Sequence, residues 1–318
     1  MISRICLFET QYSLMNYMFL DKRWKERTYI LTSERLCEIV YRMSHLKVNT
    51  SYSIFLQKIN LLFEDKHHYI WKKIMKMFRY YLYLWGLKHK SVPVYGQDHN
   101  FFARCFFNRE FNEVEDGNIS YESYEFFLTH GIEKNWWKRY VCFGWSDYVN
   151  KVYLTGRLPI PEGLQHKVEI IDLKSSWASL NENEKKDIFY VLGYNEDKVN
   201  ALISSGRTNI LLTQPFYLDN EYGREAHIVC YTEILKKYDM NTIIIKPHPE
   251  DKLNYKEIFP KCEILSERFP FEFCYFIGVP FTKIISVNST STMKGLWDKE
   301  YIDTYEYMID RMKKYKKK

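Results

Sequence analysis

The stretch NTIIIKPHPED, residues 241 to 251, constrains the fold more than any other part of the chain. The isoleucine run Ile243–Ile245 suits a strand packed on both faces, because β-branched side chains are favoured on a pleated surface covered on either side. Strands of that kind belong to parallel sheets, whose crossovers are usually helices. The run then stops at Lys246-Pro247-His248-Pro249. Prolines cannot donate to a sheet ladder and fix their own φ, so the strand ends here and His248 is held just beyond it. In open α/β sheets, ligands bind at the carboxyl ends of strands. His248 is therefore a candidate site residue, with Lys246 beside it; a stiff surface turn carrying an incidental histidine is the competing explanation.

Short apolar runs alternate with longer amphipathic segments along the whole chain, which is the pattern of βαβ units. Residues 4–9, 28–32, 92–96, 111–115, 151–155 and 168–173 read as strands of the first half, and 208–213, 241–246, 262–266 and 283–288 as strands of the second. Helices are expected over 52–87, 220–238, 270–278 and 290–297. At 318 residues the chain is long enough for two domains. The polar helical stretch SLNENEKKDIF, 179–189, marks the expected boundary, giving Rossmann-like α/β domains over 1–178 and 179–318.

Composition narrows the function classes. A hydrophobic share of 46% beside a charged share of 27% is that of a globular chain. The net charge of +6 favours anionic partners, but the dense basic run is confined to RMKKYKKK, 311–318, so a nucleic-acid partner is not expected. Seven cysteines, none spaced C-x-x-C, signal neither a disulfide framework nor a zinc site and fit a reducing compartment. No stretch approaches the ~20 apolar residues of a membrane span. The apolar run before Glu9 is too short for a signal peptide. A cytoplasmic chain, soluble or held peripherally on a membrane, is expected. Neither G-x-G-x-x-G nor G-x-x-x-x-G-K-[ST] is present, which removes the usual marks of dinucleotide binding and P-loop phosphoryl transfer. No D-x-D stands at a strand end, so a metal-held nucleotide diphosphate is not indicated.

Two further strand ends carry chemistry. In NEVEDGNISYE, 112–122, a strand runs into Glu115-Asp116-Gly117, where Gly117 can adopt the positive φ of a tight turn and leave Asp116 facing a cleft. A carboxylate there could act as general base on a hydroxyl; a plain Asp-Gly turn is the alternative. In SVNSTSTMKGL, 286–296, Ser289, Thr290 and Ser291 open a helix after a strand, an arrangement that suits an anion. An ordinary helix cap is the alternative there. His248 and this hydroxyl cluster fall in the same half and could address one phosphate.

Taken in order, these segments resemble the bacterial sialyltransferases of glycosyltransferase family 52, which share motifs with the bacterial polysialyltransferases. The family's D/E-D/E-G turn, HP motif and Ser/Thr pair are matched by Glu115-Asp116-Gly117, His248-Pro249 and Ser289-Thr290. LLTQPF, 211–216, and RFPFEF, 268–273, are similar to segments between the motifs, and ICLFETQYSL resembles the family's first strand and loop. Among members, the streptococcal capsular sialyltransferases look most similar. The sequence departs from the pattern in having Glu115 for Asp, a Ser-Thr pair, and no proline between Thr10 and Gln11, so the resemblance assigns those two residues no role.

The resemblance implies an inverting GT-B enzyme with two Rossmann-like domains facing a central cleft. The donor would be CMP-N-acetylneuraminic acid, a substrate rather than a cofactor, and no metal would be required. The acceptor would be a terminal galactose, joined α-2,3, on a capsular or surface oligosaccharide that could be lipid-linked. Asp116 would be the base of an acceptor-side N-terminal domain. His248 would stabilise the leaving phosphate, with Lys246, Pro249, Gln214, Glu272, Ser289 and Thr290 around the donor. Transfer of another sugar such as glucose, or non-catalytic binding of a sugar or nucleotide, are the alternatives, and a homodimer is open. Finally, EYIDTYEYMIDRMKKYKKK, 300–318, reads as a helix with Tyr301, Ile302, Tyr305, Met308, Ile309 and Met312 near one face and a cationic end. It would either pack on the core or adhere to an anionic inner leaflet.

Overall fold

The computed structural model describes residues 2–53, 86–87, 91–100, 103–130, 141–219, 223–276, 278–279, 281–286, 300–303 and 310. They fall into two compact units, Met1–Leu192 and Gly193–Lys318.

The first unit is built on β1 (Arg4–Phe8), β2 (Thr28–Ser33), β3 (Asn49–Ser53), β4 (Val94–Gly96), β5 (Phe111–Val114), β6 (Val149–Leu154) and β7 (Val168–Ile170). All pair in parallel in the order β3-β2-β1-β4-β5-β6-β7. Ile5, Cys6, Leu7 and Phe8 are all fully buried. Successive strand residues point to opposite faces, so an unbroken buried run means that the sheet is covered on both sides. Ile5 and Leu7 share one core with Leu31, Val94, Phe111, Val152 and Leu154.

Helix α1 (Gln11–Leu20) starts directly after β1, capped by Thr10, whose Oγ1 accepts the Ser13 N–H. It is buried from Ser13 to Phe19. The unit also holds α2 (Cys37–His45), α3 (Tyr124–Thr129), α4 (Leu173–Ala178) and α5 (Glu182–Leu192). Helix α5 packs on α1 and α2. It is fixed there by an ion pair from Lys25 to Asp187, by the Arg42 guanidinium donating to Val191 O at 3.0 Å, and by Trp177 lying between Phe19 and Phe189. The stretch 179–189 is helical, as expected, over Glu182 onward. Ile188, Val191 and Leu192 are buried, and the two compact units divide after Leu192.

The second unit repeats the scheme with α6 (Glu196–Ser204), β8 (Asn209–Leu212), α7 (Arg224–Leu235), β9 (Ile243–Lys246), α8 (Tyr255–Ile258), β10 (Glu263–Ile264), α9 (Phe273–Phe276), β11 (Lys283–Ser286) and β12 (Glu300–Asp303). Its sheet is parallel, ordered β10-β9-β8-β11-β12. Ile243, Ile244 and Ile245 are buried, as a strand covered on both faces requires.

Two strands depart from the sequence reading. Residues 49–53 form β3, so the helix expected from 52 cannot begin there; 86–87 are helical, and 54–85 lie outside the described residues. Residues 300–303 form β12, paired with β11, so Tyr301 and Ile302 belong to a strand and not to a terminal helix. Both are edge strands with mixed polar sequences, NTSYS and EYID, which lack a continuous apolar run. Residues 290–297 and most of the tail lie outside the described residues.

Candidate active site

In the first sheet the strand order reverses at β1, which places a topological switch point between β1 and β4. The residues that leave β1, β4 and β5 at their carboxyl ends meet there. Gly96 makes the approach close: its φ is 139°, and a Cβ would lie 2.0 Å from Leu7 O. The Gln97 N–H can thus reach Leu7 O at 3.0 Å. The Gln97 side chain then joins the two loops, its Oε1 accepting the Glu9 N–H at 2.6 Å and its Nε2 donating to Ser13 Oγ at 3.1 Å.

Asp116 is the centre of this arrangement. Its Oδ1 accepts the Thr10 hydroxyl at 2.7 Å, with Ser13 Oγ at 3.0 Å, and its Oδ2 faces His99 Nε2 at 3.4 Å. Its own N–H donates to Ser120 Oγ at 2.8 Å. Gly117, with φ 90°, makes the turn into a 3-10 turn over Asn118–Tyr121. Burial pushes the Asp116 carboxyl up to about 6; the Thr10 and Ser13 hydroxyls and the Gln97 amide pull it down, and the Glu9 charge adds to the rise. A carboxylate poised close to neutrality, half-saturated by fixed donors, suits a general base.

Glu115 has a different job. It is fully buried, and its oxygens accept Tyr12 OH at 2.9 Å, Tyr121 OH at 2.8 Å and the Thr155 N–H, while Arg157 Nε lies 2.9 Å away. Arg157 also sits over the Tyr12 and Tyr121 rings, at 5.2 and 5.9 Å. The first acid of the turn is thus a structural anchor, whereas the second keeps its Oδ2 on the His99 side.

His99 is held from below. Its ring stacks on Phe143, centroids 4.4 Å apart. Phe143 has the left-handed φ of 60°, which a residue with a Cβ adopts only when its surroundings require it. The requirement here is Asp98, whose carboxylate accepts the Phe143 N–H at 2.6 Å and the Gly144 N–H at 3.0 Å. Asp98, His99 and Glu113 bring ligand-type atoms within 4.8 Å of one another. Yet both Asp98 oxygens are engaged by those amides, and Glu113 Oε2 accepts the Asp98 N–H at 2.7 Å. Burial, with the Asp98 charge next, pushes the Glu113 carboxyl well above the ordinary range and favours its protonated form. The cluster is a support for His99.

Sequence reading named Asp116 but missed Thr10, Ser13, Gln97 and His99. Two signals were present: a Thr-x-x-Ser cap straight after a buried strand, and a polar Gln-Asp-His triplet straight after VPVYG.

In the second unit, β8 and β9 end together, Leu212 beside Lys246. The His248 N–H donates to Thr213 Oγ1 at 3.2 Å, and the His248 carbonyl accepts the Asp251 N–H at 2.9 Å, closing a turn. Pro249 is exposed within that turn, and Gln214 follows Thr213, its N–H donating to Tyr231 OH at 2.7 Å. Lys246 is buried. Its Nζ donates to Glu267 O at 2.8 Å and lies 4.4 Å from the Phe269 ring centroid, and burial lowers its pKa. Glu272, also buried, adds a negative charge to the surroundings of Lys246. Ser289 and Thr290 lie outside the described residues.

Two units, each with a parallel sheet and polar residues gathered at its strand ends, have the α/β architecture of the GT-B fold. The family model of glycosyltransferase family 52 matches residues 16–305, and the chain belongs to that family. A relative, an uncharacterized protein of Haemophilus influenzae, is 33% identical over 224 residues, 69% of this chain and 70% of the relative. Among solved structures, the chain is similar to an α/β-galactoside α-2,3-sialyltransferase of Photobacterium phosphoreum, with TM-score 0.55 and 12% identity over 94% of this chain and 89% of that one. It is also similar to a 2,6-sialyltransferase of Photobacterium sp. JT-ISH-224 in a ternary complex with CMP and lactose, with TM-score 0.60 and 10% identity over 94% of this chain and 71% of that one. At such identities the likeness concerns the fold.

Proposed function

We propose that the protein is an inverting sialyltransferase that moves N-acetylneuraminic acid from CMP-N-acetylneuraminic acid to a terminal galactose hydroxyl. The observation that carries this reading is Asp116, a largely buried carboxylate at the switch point whose Oδ1 is engaged by Thr10 and Ser13 and whose Oδ2 remains on the His99 side. In the proposed step the galactose oxygen bonds to the anomeric carbon and its proton passes to Asp116. The anomeric carbon–oxygen bond to phosphate breaks, and its electron pair leaves with CMP. His248 donates a hydrogen bond to that phosphate, a form of stabilisation effective where donors are fixed in advance. Ser289, Thr290, Gln214, Pro249 and Glu272 belong to the same donor site in this reading, with Lys246 as its buried floor. Such donors make a divalent metal unnecessary for the leaving group.

The family and the two neighbours, one holding CMP and lactose, support the donor and acceptor classes. An α-2,3 linkage on a capsular or surface oligosaccharide is the form we propose. Incubation with CMP-sialic acid and lactose, in excess chelator, should release CMP and yield sialyl-lactose. No turnover with CMP-sialic acid but turnover with a glucose donor would replace this reading by transfer of another sugar. No turnover with either would leave a binding protein.

A further inference from the structure

The HP turn rests on a partly buried network that no motif of the sequence announces. Asp251 sits at its centre. Its Oδ1 accepts Tyr217 OH at 3.0 Å and the Leu253 N–H at 3.1 Å, and its Oδ2 accepts Tyr255 OH at 2.7 Å and Thr213 Oγ1–H at 3.2 Å. The carboxylate only accepts, so the tyrosine hydroxyls turn their hydrogens to it, while the Thr213 hydroxyl also reaches Tyr255. Tyr255 gives its proton to Asp251, so His227 Nε2, 3.0 Å from Tyr255 O, must be the donor of that contact. Burial lowers the His227 pKa to about 4, in keeping with a neutral ring that carries its hydrogen on Nε2. Thr213 turns its hydrogen to the Asp251 and Tyr255 oxygens and is left with lone pairs, one of which takes the His248 N–H. Tyr217 likewise gives its proton to Asp251 and accepts the Lys252 N–H at 2.9 Å. The backbone on both sides of Pro249 is thereby tied to a single carboxylate.

The same turn acts on the ring of His248. The Glu250 N–H donates to His248 Nδ1 at 3.2 Å. A backbone N–H cannot share that geometry with a second hydrogen, so Nδ1 is the unprotonated nitrogen and Nε2 carries the ring hydrogen.

We infer that Asp251 is a positioning residue, and that it and the Glu250 amide hold His248 as a single tautomer with the hydrogen on Nε2. A neutral imidazole fixed this way is a hydrogen-bond donor on the edge of the ring away from its own backbone. It needs no proton from solvent and no reorientation to meet an anionic oxygen. The inference rests on the reading of His248 as the donor to the leaving phosphate. It extends that reading by saying which nitrogen donates and what sets it.

The test uses the full chain labelled with 15N in its histidines and backbone. Long-range proton–nitrogen spectra report the tautomer of His248, assigned by comparison with His248→Gln, and amide hydrogen exchange reports the Glu250 N–H. The parent protein should show Nδ1 unprotonated and Nε2 protonated, with no detectable second tautomer, and a protected Glu250 amide. In Asp251→Ala the two tautomers should mix and the Glu250 amide should exchange at least about tenfold faster. Release of CMP should slow by about 10- to 100-fold, the scale of a misplaced catalytic group. The signals of histidines in the first unit, such as His99, should stay in place and show that the chain is folded. Two results overturn the inference: a populated Nδ1–H tautomer in the parent, or an Asp251→Ala protein with the parent's tautomer and amide protection. If the tautomer is as stated but His248→Gln releases CMP at the parent rate, the role of His248 fails while the positioning by Asp251 stands.

Discussion

The two strand-end sites solve opposite problems. Asp116 is largely buried and is approached by side chains from the ends of three strands: Thr10 and Ser13 after β1, His99 after β4, and Ser120 beyond β5. His248 lies in a partly exposed turn that closes on itself through the Asp251 and Glu250 N–H groups and is tied from beneath by Thr213 and Asp251. A base gains from burial, because desolvation raises the affinity of its ionised form for a proton. A hydrogen-bond donor to a departing anion gains from rigidity and access instead. The first site is thus assembled around a carboxylate from several strand ends, and the second begins as a local turn that distant side chains then brace.

The largest effect should separate the two directly. Asp116→Asn should lower turnover by about 10² to 10⁴, the range of a general base, with CMP binding retained. A variant that transfers at the parent rate removes Asp116 from the chemistry. His248→Ala should lower turnover by about 10² to 10³ and weaken CMP binding as well, since its partner is the donor phosphate. Unchanged kinetics would reduce the HP motif to a stiff turn.

Below these comes a stability test of the first site. Glu115→Gln leaves Arg157, itself only 5% exposed, without its anion and should cost about 3–5 kcal/mol in chemical denaturation. A cost near zero would mean that solvent reaches the pair.

Next comes pH. The Asp116 carboxyl is raised in the folded chain, so its ionised form is the disfavoured one. Stability relative to Asp116→Asn should therefore be lost as pH rises from about 4 to about 6 and stay level above. The variant should be the more stable protein at pH 7, by an amount on the order of 2 kcal/mol. In the parent, kcat/KM should fall as pH drops through about 6, whereas a limb near pH 4 would place Asp116 in solvent.

The smallest effect concerns the basic tail. Removing residues 313–318 should leave turnover on lactose intact and weaken sedimentation with anionic vesicles at low salt, at roughly 1 kcal/mol per cation near the surface. If the full chain ignores such vesicles, the tail has no membrane role.

How much was legible follows the same division. The isoleucines of β9 and the prolines after them are a local signal, and β9 and its turn stand where the sequence places them. Gly117 takes the positive φ expected of it. What could not be read is what depends on several loops at once. Thr10, with no proline after it, gave no reason to be assigned a role, yet the close approach at Gly96 brings it to Asp116. The edge strands β3 and β12 were missed because an edge needs no apolar run to be paired on one side.

The Glu115 anchor has a consequence for how such a chain can change. The side chains of Tyr12, Tyr121 and Arg157 converge with the Thr155 N–H on one buried carboxylate, so a substitution at any of the three alters what the others can tolerate. Drift at position 115 is therefore epistatic. A shorter acid there would sit well only in a background where the tyrosines and the arginine have already shifted, and laboratory evolution of this turn should recover such changes in sets rather than singly.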